Sequence, residues 1–218
     1  MLIADSDCVW YGTCARIAEA TLKSGLGTMT INYPAEKVVN GLSREGMRDL
    51  MPIIDLKKPL DVPAYCAGEA IGLTSCAIVE LSQQARSVFE RILAHHQNDL
   101  GFVCEEAHML SMLSADLTAQ SGALNQLTKR IWTAQRYRST TLADLNLDLW
   151  HLPAEKRSGF LDLYNHLKGT HEEWIRCSAG DRQERLKELM GVPTKSPTKS
   201  LKDFVRASAR RFNQCVRK

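Results

Sequence analysis

The chain has 218 residues, 44% of them hydrophobic and 24% charged, which is typical of a globular protein. No run of 18 apolar residues occurs, and this excludes a membrane-spanning helix. The acidic start of the chain does not resemble a secretion signal, and the seven cysteines include no Cys-x-x-Cys pair, so we expect a cytoplasmic protein without disulfides or a zinc site. Residues 192–218 contain eight basic residues and one acid, a net of +7, which leaves residues 1–191 at −4.

The apolar pattern predicts strands that alternate with helices along the chain. Strands are predicted at 1–4, 26–31, 76–81, 102–104, 130–134 and 145–149. Helices are predicted at 12–24, 36–47, 83–97, 107–128, 153–167, 181–190 and 200–213, and three prolines make 52–63 irregular. This alternation favours a three-layer α/β fold in which helices cover both faces of a mainly parallel sheet.

Two adjacent carboxylates, Glu105 and Glu106, follow the short apolar run at 102–104. At the carboxyl end of a buried parallel strand, such acids lie where open α/β sheets bind ligands. The alternative is a solvated helix start, where acidic side chains are favoured by the helix dipole.

The sequence Phe102-Val103-Cys104-Glu105-Glu106-Ala107-His108 resembles the Walker B strand of the HerA/FtsK group of P-loop ATPases. Downstream, the stretch 130–136 is similar to the next core strand of that group, which commonly ends in glutamine, here Gln135. The resemblance implies a three-layer RecA-like P-loop NTPase fold with a mainly parallel sheet and a C-terminal helical appendage. It also implies that Glu105 holds Mg²⁺ through water, that Glu106 polarises the attacking water and that Gln135 senses the γ-phosphate of ATP. Members of the group work as homo-oligomeric rings around DNA.

The phosphate-binding loop of such ATPases, G-x-x-x-x-G-K-[ST], occurs nowhere in the chain. At its expected position stand residues 7–14, where only Gly12 is retained and Asp7 replaces the first glycine. We therefore expect weak ATP binding. The candidate nucleotide-binding residues are Gly12, Thr13, Cys14 and Arg16, although Arg16 equally suits a solvated helix.

The basic C-terminal segment, residues 192–218, is predicted to follow a P-loop NTPase-like α/β domain at 1–191. Its tandem Pro-Thr-Lys-Ser repeat at 193–200 predicts a flexible linker, and Ser200 with Asp203 predicts the capping box of a basic amphipathic helix. Such a helix suits DNA, a protein partner, an anionic membrane or its own domain. The candidate DNA-binding residues are Lys195, Lys199, Lys202, Arg206, Arg210 and Arg211.

The sequence thus predicts an ATPase-like subunit in DNA translocation, packaging or segregation, with weakened or absent nucleotide binding. If active, it would use Mg²⁺ and ATP; otherwise it needs no cofactor. The alternative is an inactive pseudo-ATPase that acts as a DNA- or protein-binding scaffold. A third possibility is an unrelated α/β enzyme that uses Glu106. Four basic residues flank the predicted strand that ends in Gln135: Lys129, Arg130, Arg136 and Arg138. They suit a charge supplied to a neighbouring subunit's phosphate, contact with DNA, or solvation at the surface.

Overall fold

The computed structural model describes residues 1–10, 12–57, 59–97, 105–117 and 122–216, which form two compact units. Unit 1 comprises Met1–Asp5 and Thr13–Thr128; unit 2 comprises Ser6–Gly12 and Lys129–Lys218. The strands are β1 (Leu2–Ala4), β2 (Cys8–Trp10), β3 (Leu26–Ile31), β4 (Tyr65–Leu73), β5 (Thr128–Arg130) and β6 (Leu149–His151). The α-helices are α1 (Cys14–Ser24), α2 (Arg44–Leu50), α3 (Ser75–Gln97), α4 (Glu106–Asp116), α5 (Gly159–Arg176), α6 (Ala179–Met190) and α7 (Pro197–Val216).

The sheet of unit 1 is antiparallel, in the order β1-β4-β3. Leu2 pairs with Gly72, and Ile31 pairs with Tyr65 at the other end of β4. Gly72 lets helix α1 approach the sheet closely, because a Cβ at this position would lie 2.0 Å from Thr21 Oγ1. The glycine is therefore required by packing at this point of the strand.

Apolar side chains of α2, α3, α4 and a 3₁₀ turn at Met51–Ile54 form the largest core of unit 1. This core is rich in methionine, a flexible side chain that fills irregular gaps. Its most buried members include Met47, Met51, Ile54, Val88 and Met112.

Unit 2 contains a small mixed sheet in the order β2-β6-β5. Strands β2 and β6 are antiparallel, and Val9 pairs with the fully buried Trp150. Helix α6 is capped by Ser178, whose hydroxyl accepts a hydrogen bond from Asp181 N at 3.1 Å. It is followed by Gly191, which adopts the left-handed conformation usual after a helix C-terminus.

The predicted RecA-like three-layer fold with a mainly parallel sheet is wrong. In the described ranges, the strands form one antiparallel and one mixed sheet of three strands each. The predicted strand 76–81 is the start of helix α3, and the predicted helix 36–47 is replaced by turns that lead into the shorter α2. The predicted strand 102–104 lies outside the described residues.

Only the first copy of the Pro-Thr-Lys-Ser repeat lies outside a helix, because the second copy begins helix α7 at Pro197. The linker predicted over 193–200 is therefore shorter than expected. Ser196 Oγ accepts a hydrogen bond from Lys199 N at 3.2 Å, and Pro197 occupies the first helical position. The predicted capping box at Ser200 is therefore wrong, and the boundary predicted at residue 191 lies inside unit 2.

None of the helices in the described ranges is both long enough and apolar enough to cross a membrane.

Candidate nucleic-acid interface

Glu105 precedes helix α4 in unit 1, where it joins α4 to two other parts of the unit. Its Oε1 accepts a hydrogen bond from the Tyr65 hydroxyl of β4, and its Oε2 accepts one from Asn40 Nδ2. His108 Nε2 lies 3.6 Å from Oε1 and donates to Val39 O at 2.9 Å. Both carboxylate oxygens already accept hydrogen bonds, so a water-bridged Mg²⁺ would have to compete with these donors.

The Asn40 contact depends on a tight two-residue turn. Asn40 and Gly41 both have positive φ values, 46° and 96°, and the flanking Val39 and Leu42 exchange two backbone hydrogen bonds. An Asn-Gly pair between apolar residues is a strong signal for such a turn. That signal is present in the sequence and predicts the turn, but not its contact with Glu105.

Glu106 is exposed in the first turn of α4, where the helix dipole favours a carboxylate. Gln135 belongs to unit 2 and begins a 3₁₀ turn, Gln135–Tyr137, whereas the adjacent strand β5 already ends at Arg130. The three residues predicted to be catalytic are therefore distributed over both units.

The predicted phosphate-binding loop is interrupted by strand β2 at Cys8–Trp10. In unit 2, Gly12 N donates to Asp148 O at 2.9 Å, and a Cβ on Gly12 would lie 1.9 Å from Asp148 Oδ1. Asp7 is buried with its carboxylate 3.4 Å from His151 Nε2. The described residues of this segment in unit 2, 7–10 and 12, pack against β6 and the residue before it, so they do not form the backbone cradle that ATP phosphates need.

The other candidate nucleotide-binding residues lie at the start of α1 in unit 1. Thr13 is the N-cap residue but makes no side-chain capping hydrogen bond, and Cys14 and Arg16 are exposed. The four candidate nucleotide-binding residues therefore fall in both units, Gly12 in unit 2 and the other three in unit 1.

The strongest candidate for a binding surface is in unit 2, where two aromatic rings and two arginines line a hollow of about 690 Å³. Trp132 and Tyr137 meet edge to face, with ring centroids 6.4 Å apart and planes at 62°. Arg136 Cζ lies 5.2 Å from the Tyr137 ring centroid, within cation–π range. We call Trp132, Arg136, Tyr137 and Arg138 the Trp132 surface.

The backbone holds the Trp132 surface in place. Ile131 and Thr133 are fully buried while Trp132 between them is exposed, as the alternation of an extended chain requires. Trp132 N donates to Ser139 Oγ at 3.0 Å, and Ser139 N returns a bond to Trp132 O at 2.9 Å. Arg138 donates to the carbonyls of Gly191 and Pro193 at 3.1 and 3.3 Å, so its guanidinium has a fixed position.

A buried carboxylate, Glu155, anchors the basic C-terminal segment to the rest of unit 2. Lys195 Nζ and Lys199 Nζ each lie 2.8 Å from one of its oxygens, and the Thr133 hydroxyl donates to the same group. Burial alone would raise the pKa of Glu155, but these hydrogen bonds outweigh it and hold the pKa below its ordinary value. Burial likewise disfavours the charged form of Lys195, yet its bonds to Asp203 and Glu155 raise its pKa.

Four of the candidate DNA-binding residues are therefore engaged in intramolecular ion pairs. Lys195 and Lys199 are 15% and 6% exposed beside Glu155. On the outer side of α7, Lys202 and Arg206 both bind Asp162, Arg206 through two bonds of 2.7 and 2.9 Å. The side chains of the remaining candidates, Arg210 and Arg211, lie outside the described part of the structure.

The sequence prediction singled out the arginines of the Trp132 surface but not its aromatic rings. The signal was present, because Trp132 and Tyr137 alternate with arginines along residues 130–138.

Comparisons with protein-family models, with curated proteins and with solved structures found no match for this chain.

Proposed function

We propose that the protein binds nucleic acid through unit 2 and does so without hydrolysing ATP. The observation that carries this proposal is the Trp132 surface, in which a guanidinium lies over one exposed aromatic ring and that ring meets a second one edge to face. Arginine interleaved with aromatic residues is the usual composition of surfaces that contact phosphates and bases together.

The charge distribution supports the same proposal. Unit 2 has 19 Lys or Arg and 11 Asp or Glu, a net of +8, while unit 1 has 9 basic and 14 acidic residues, a net of −5. These counts include the acids that pair with the C-terminal lysines, so the excess of positive charge persists after pairing. A concentrated positive charge attracts polyanions over long distances and accelerates their association.

An ATP-hydrolysing role is less well supported by the geometry. That role needs a phosphate-binding loop on a parallel-sheet fold, whereas residues 8–10 form a strand and Gly12 packs on Asp148. We therefore favour a non-hydrolysing subunit that serves DNA translocation, packaging or segregation. Assembly into a ring and a cytoplasmic location stay predictions.

Fluorescence anisotropy of the full chain with labelled single strands of about 20 nucleotides tests the proposal. We expect binding that weakens steeply as salt rises from about 50 to 200 mM. Arg136→Gln should lower the slope of log K against log salt by about 0.7, the value for one lost phosphate contact on a single strand.

The matched control is Arg176→Gln, which removes the same charge from a guanidinium that is 80% exposed and paired only weakly, at 3.6 Å, with Glu172. It should leave the salt slope unchanged. Equal effects of the two substitutions, or no binding at low salt, would refute the proposal.

A further inference from the structure

The exposed faces of Trp132 and Tyr137 indicate which form of nucleic acid unit 2 takes. We infer that the Trp132 surface binds the unpaired bases of a single strand by stacking, an inference that rests on the proposed nucleic-acid binding. Trp132 is 37% exposed and Tyr137 is 59% exposed, so both rings present apolar surface to a ligand.

The arrangement of the two rings leaves flat surface available. Because the rings meet edge to face at 62° and do not stack, at least one face of each ring is clear of the other ring. Arg136 occupies one side of Tyr137 and adds a positive charge next to it. The hollow of about 690 Å³ lies within the range of about 300–1,000 Å³ usual for small-molecule sites, so it accommodates a base with its sugar.

A duplex cannot use these ring faces in the same way. Its base faces are stacked inside the helix, and proteins reach only base edges and the backbone. A single strand exposes base faces, and stacking on aromatic residues is tolerant of sequence because every base has such a face.

The surface is also prearranged for stacking. The reciprocal bonds between Trp132 and Ser139 fix the loop, and Arg138 is held by two carbonyls. A rigid aromatic platform loses little conformational entropy on binding.

Aromatic residues with arginine also occur at protein–protein hot spots. The net charge of +8 on unit 2 favours a polyanion here, since it attracts nucleic acid over long distances.

Three DNA probes of equal length separate stacking from charge attraction: a single strand, the same strand with abasic sites, and a duplex. We expect the intact single strand to bind at least tenfold more tightly than the abasic strand, and quenching of tryptophan fluorescence only with the intact strand. An RNA strand of the same sequence and length tells whether the unpaired bases come from DNA or from RNA. Binding to either strand supports stacking.

Variants assign the effect to the rings. Trp132→Ala should weaken single-strand binding by about tenfold, because stacking of one base contributes a factor of about ten to the affinity. Trp132→Phe keeps a ring and should retain most of the affinity. Tyr137→Ala should also weaken binding. Its matched control, Tyr164→Ala, removes a ring that is 61% exposed on α5 and should change nothing.

The two proposals fail in different ways. Equal binding of the intact and abasic strands would overturn stacking but leave nucleic-acid binding by charge intact. Absence of binding to all probes at low salt would overturn both and would leave a protein as the remaining partner for this surface.

Discussion

Replacement of Glu155 by glutamine should destabilise unit 2 strongly. The carboxylate is fully buried, and each of its oxygens lies 2.8 Å from a lysine ammonium. Glu155→Gln preserves the shape but removes the charge and turns an N–H donor toward one of the lysines. The two ammonium groups then share only Asp203, at 2.6 and 3.4 Å.

The size of the effect follows from the burial. Breaking a buried ion pair by removing one partner costs about 3–5 kcal/mol, and the remaining Asp203 places this case near the lower end, at about 3 kcal/mol. For a unit of roughly 100 residues, each kcal/mol shifts the melting temperature by about 4–8 °C, so we expect a decrease of roughly 12–24 °C.

Tryptophan fluorescence provides a selective assay, because Trp10, Trp132, Trp150 and Trp174 all belong to unit 2. The control is Glu172→Gln, which breaks a pair whose side chains are both at least 80% exposed and which should change stability by less than about 1 kcal/mol. If Glu155→Gln melts at the same temperature as Glu172→Gln, the buried network does not hold the C-terminal segment and the reasoning is wrong.

The same network sets a pH dependence. Because the pKa of Glu155 is lowered on folding, its contribution is fully present above the ordinary glutamate value of about 4.3 and is lost as pH falls through the lowered value. The pKa of Lys195 is raised, so its contribution disappears only as pH rises through that raised value, above about 10.4. The difference in stability between the wild type and Glu155→Gln should therefore be constant near neutral pH and shrink below about pH 4.

Two further predictions concern other parts of the chain. Gly72→Ala should destabilise unit 1 by about 1–3 kcal/mol, because the added Cβ would collide with Thr21. The control is Gly169→Ala in α5, whose added Cβ meets no atom within 4 Å and which should be neutral or stabilising. Thermal unfolding followed by circular dichroism measures both variants. Isothermal titration with Mg-ATP should show no sub-micromolar binding, because Gly12 packs on Asp148 instead of forming a phosphate cradle; tight binding would contradict our assignment of this loop.

Local signals in the sequence were sufficient for some elements and misleading for others. Strand β3 has the predicted bounds, 26–31, and α1 lies within the predicted helix. Strand β4 was missed because its Ala- and Gly-rich sequence has low strand propensity. Close packing against Thr21 of α1 explains Gly72, and this contact has no local signal. The apolar run at 76–81 was assigned to a strand, but it lies in the first turns of helix α3. Thr74 Oγ1 accepts a hydrogen bond from Ala77 N at the start of this helix, and Val79 is exposed on its surface.

The candidate site illustrates why contacts between distant residues limit sequence prediction. Glu105 was assigned a role from its neighbours along the chain, whereas the donors that hold it, Tyr65 and Asn40, are 40 and 65 residues away. Likewise, Glu155 binds the lysines of the Pro-Thr-Lys-Ser repeat but lies 40 residues before Lys195. No local sequence pattern marked it as their partner. Pairing of this kind depends on the tertiary fold and cannot be read from local spacing.

Charge in unit 2 has two separable effects on the proposed binding. Ion pairing removes Lys195, Lys199, Lys202 and Arg206 from direct phosphate contact, yet their partners are already counted in the net of +8, so the long-range attraction is unaffected. Attraction of this range governs association rates, whereas contacts at the Trp132 surface govern dissociation. Stopped-flow measurements should therefore show that salt mainly lowers the association rate, while Trp132→Ala mainly raises the dissociation rate. If Trp132→Ala changed only association, the ring would not be in contact with the bound strand.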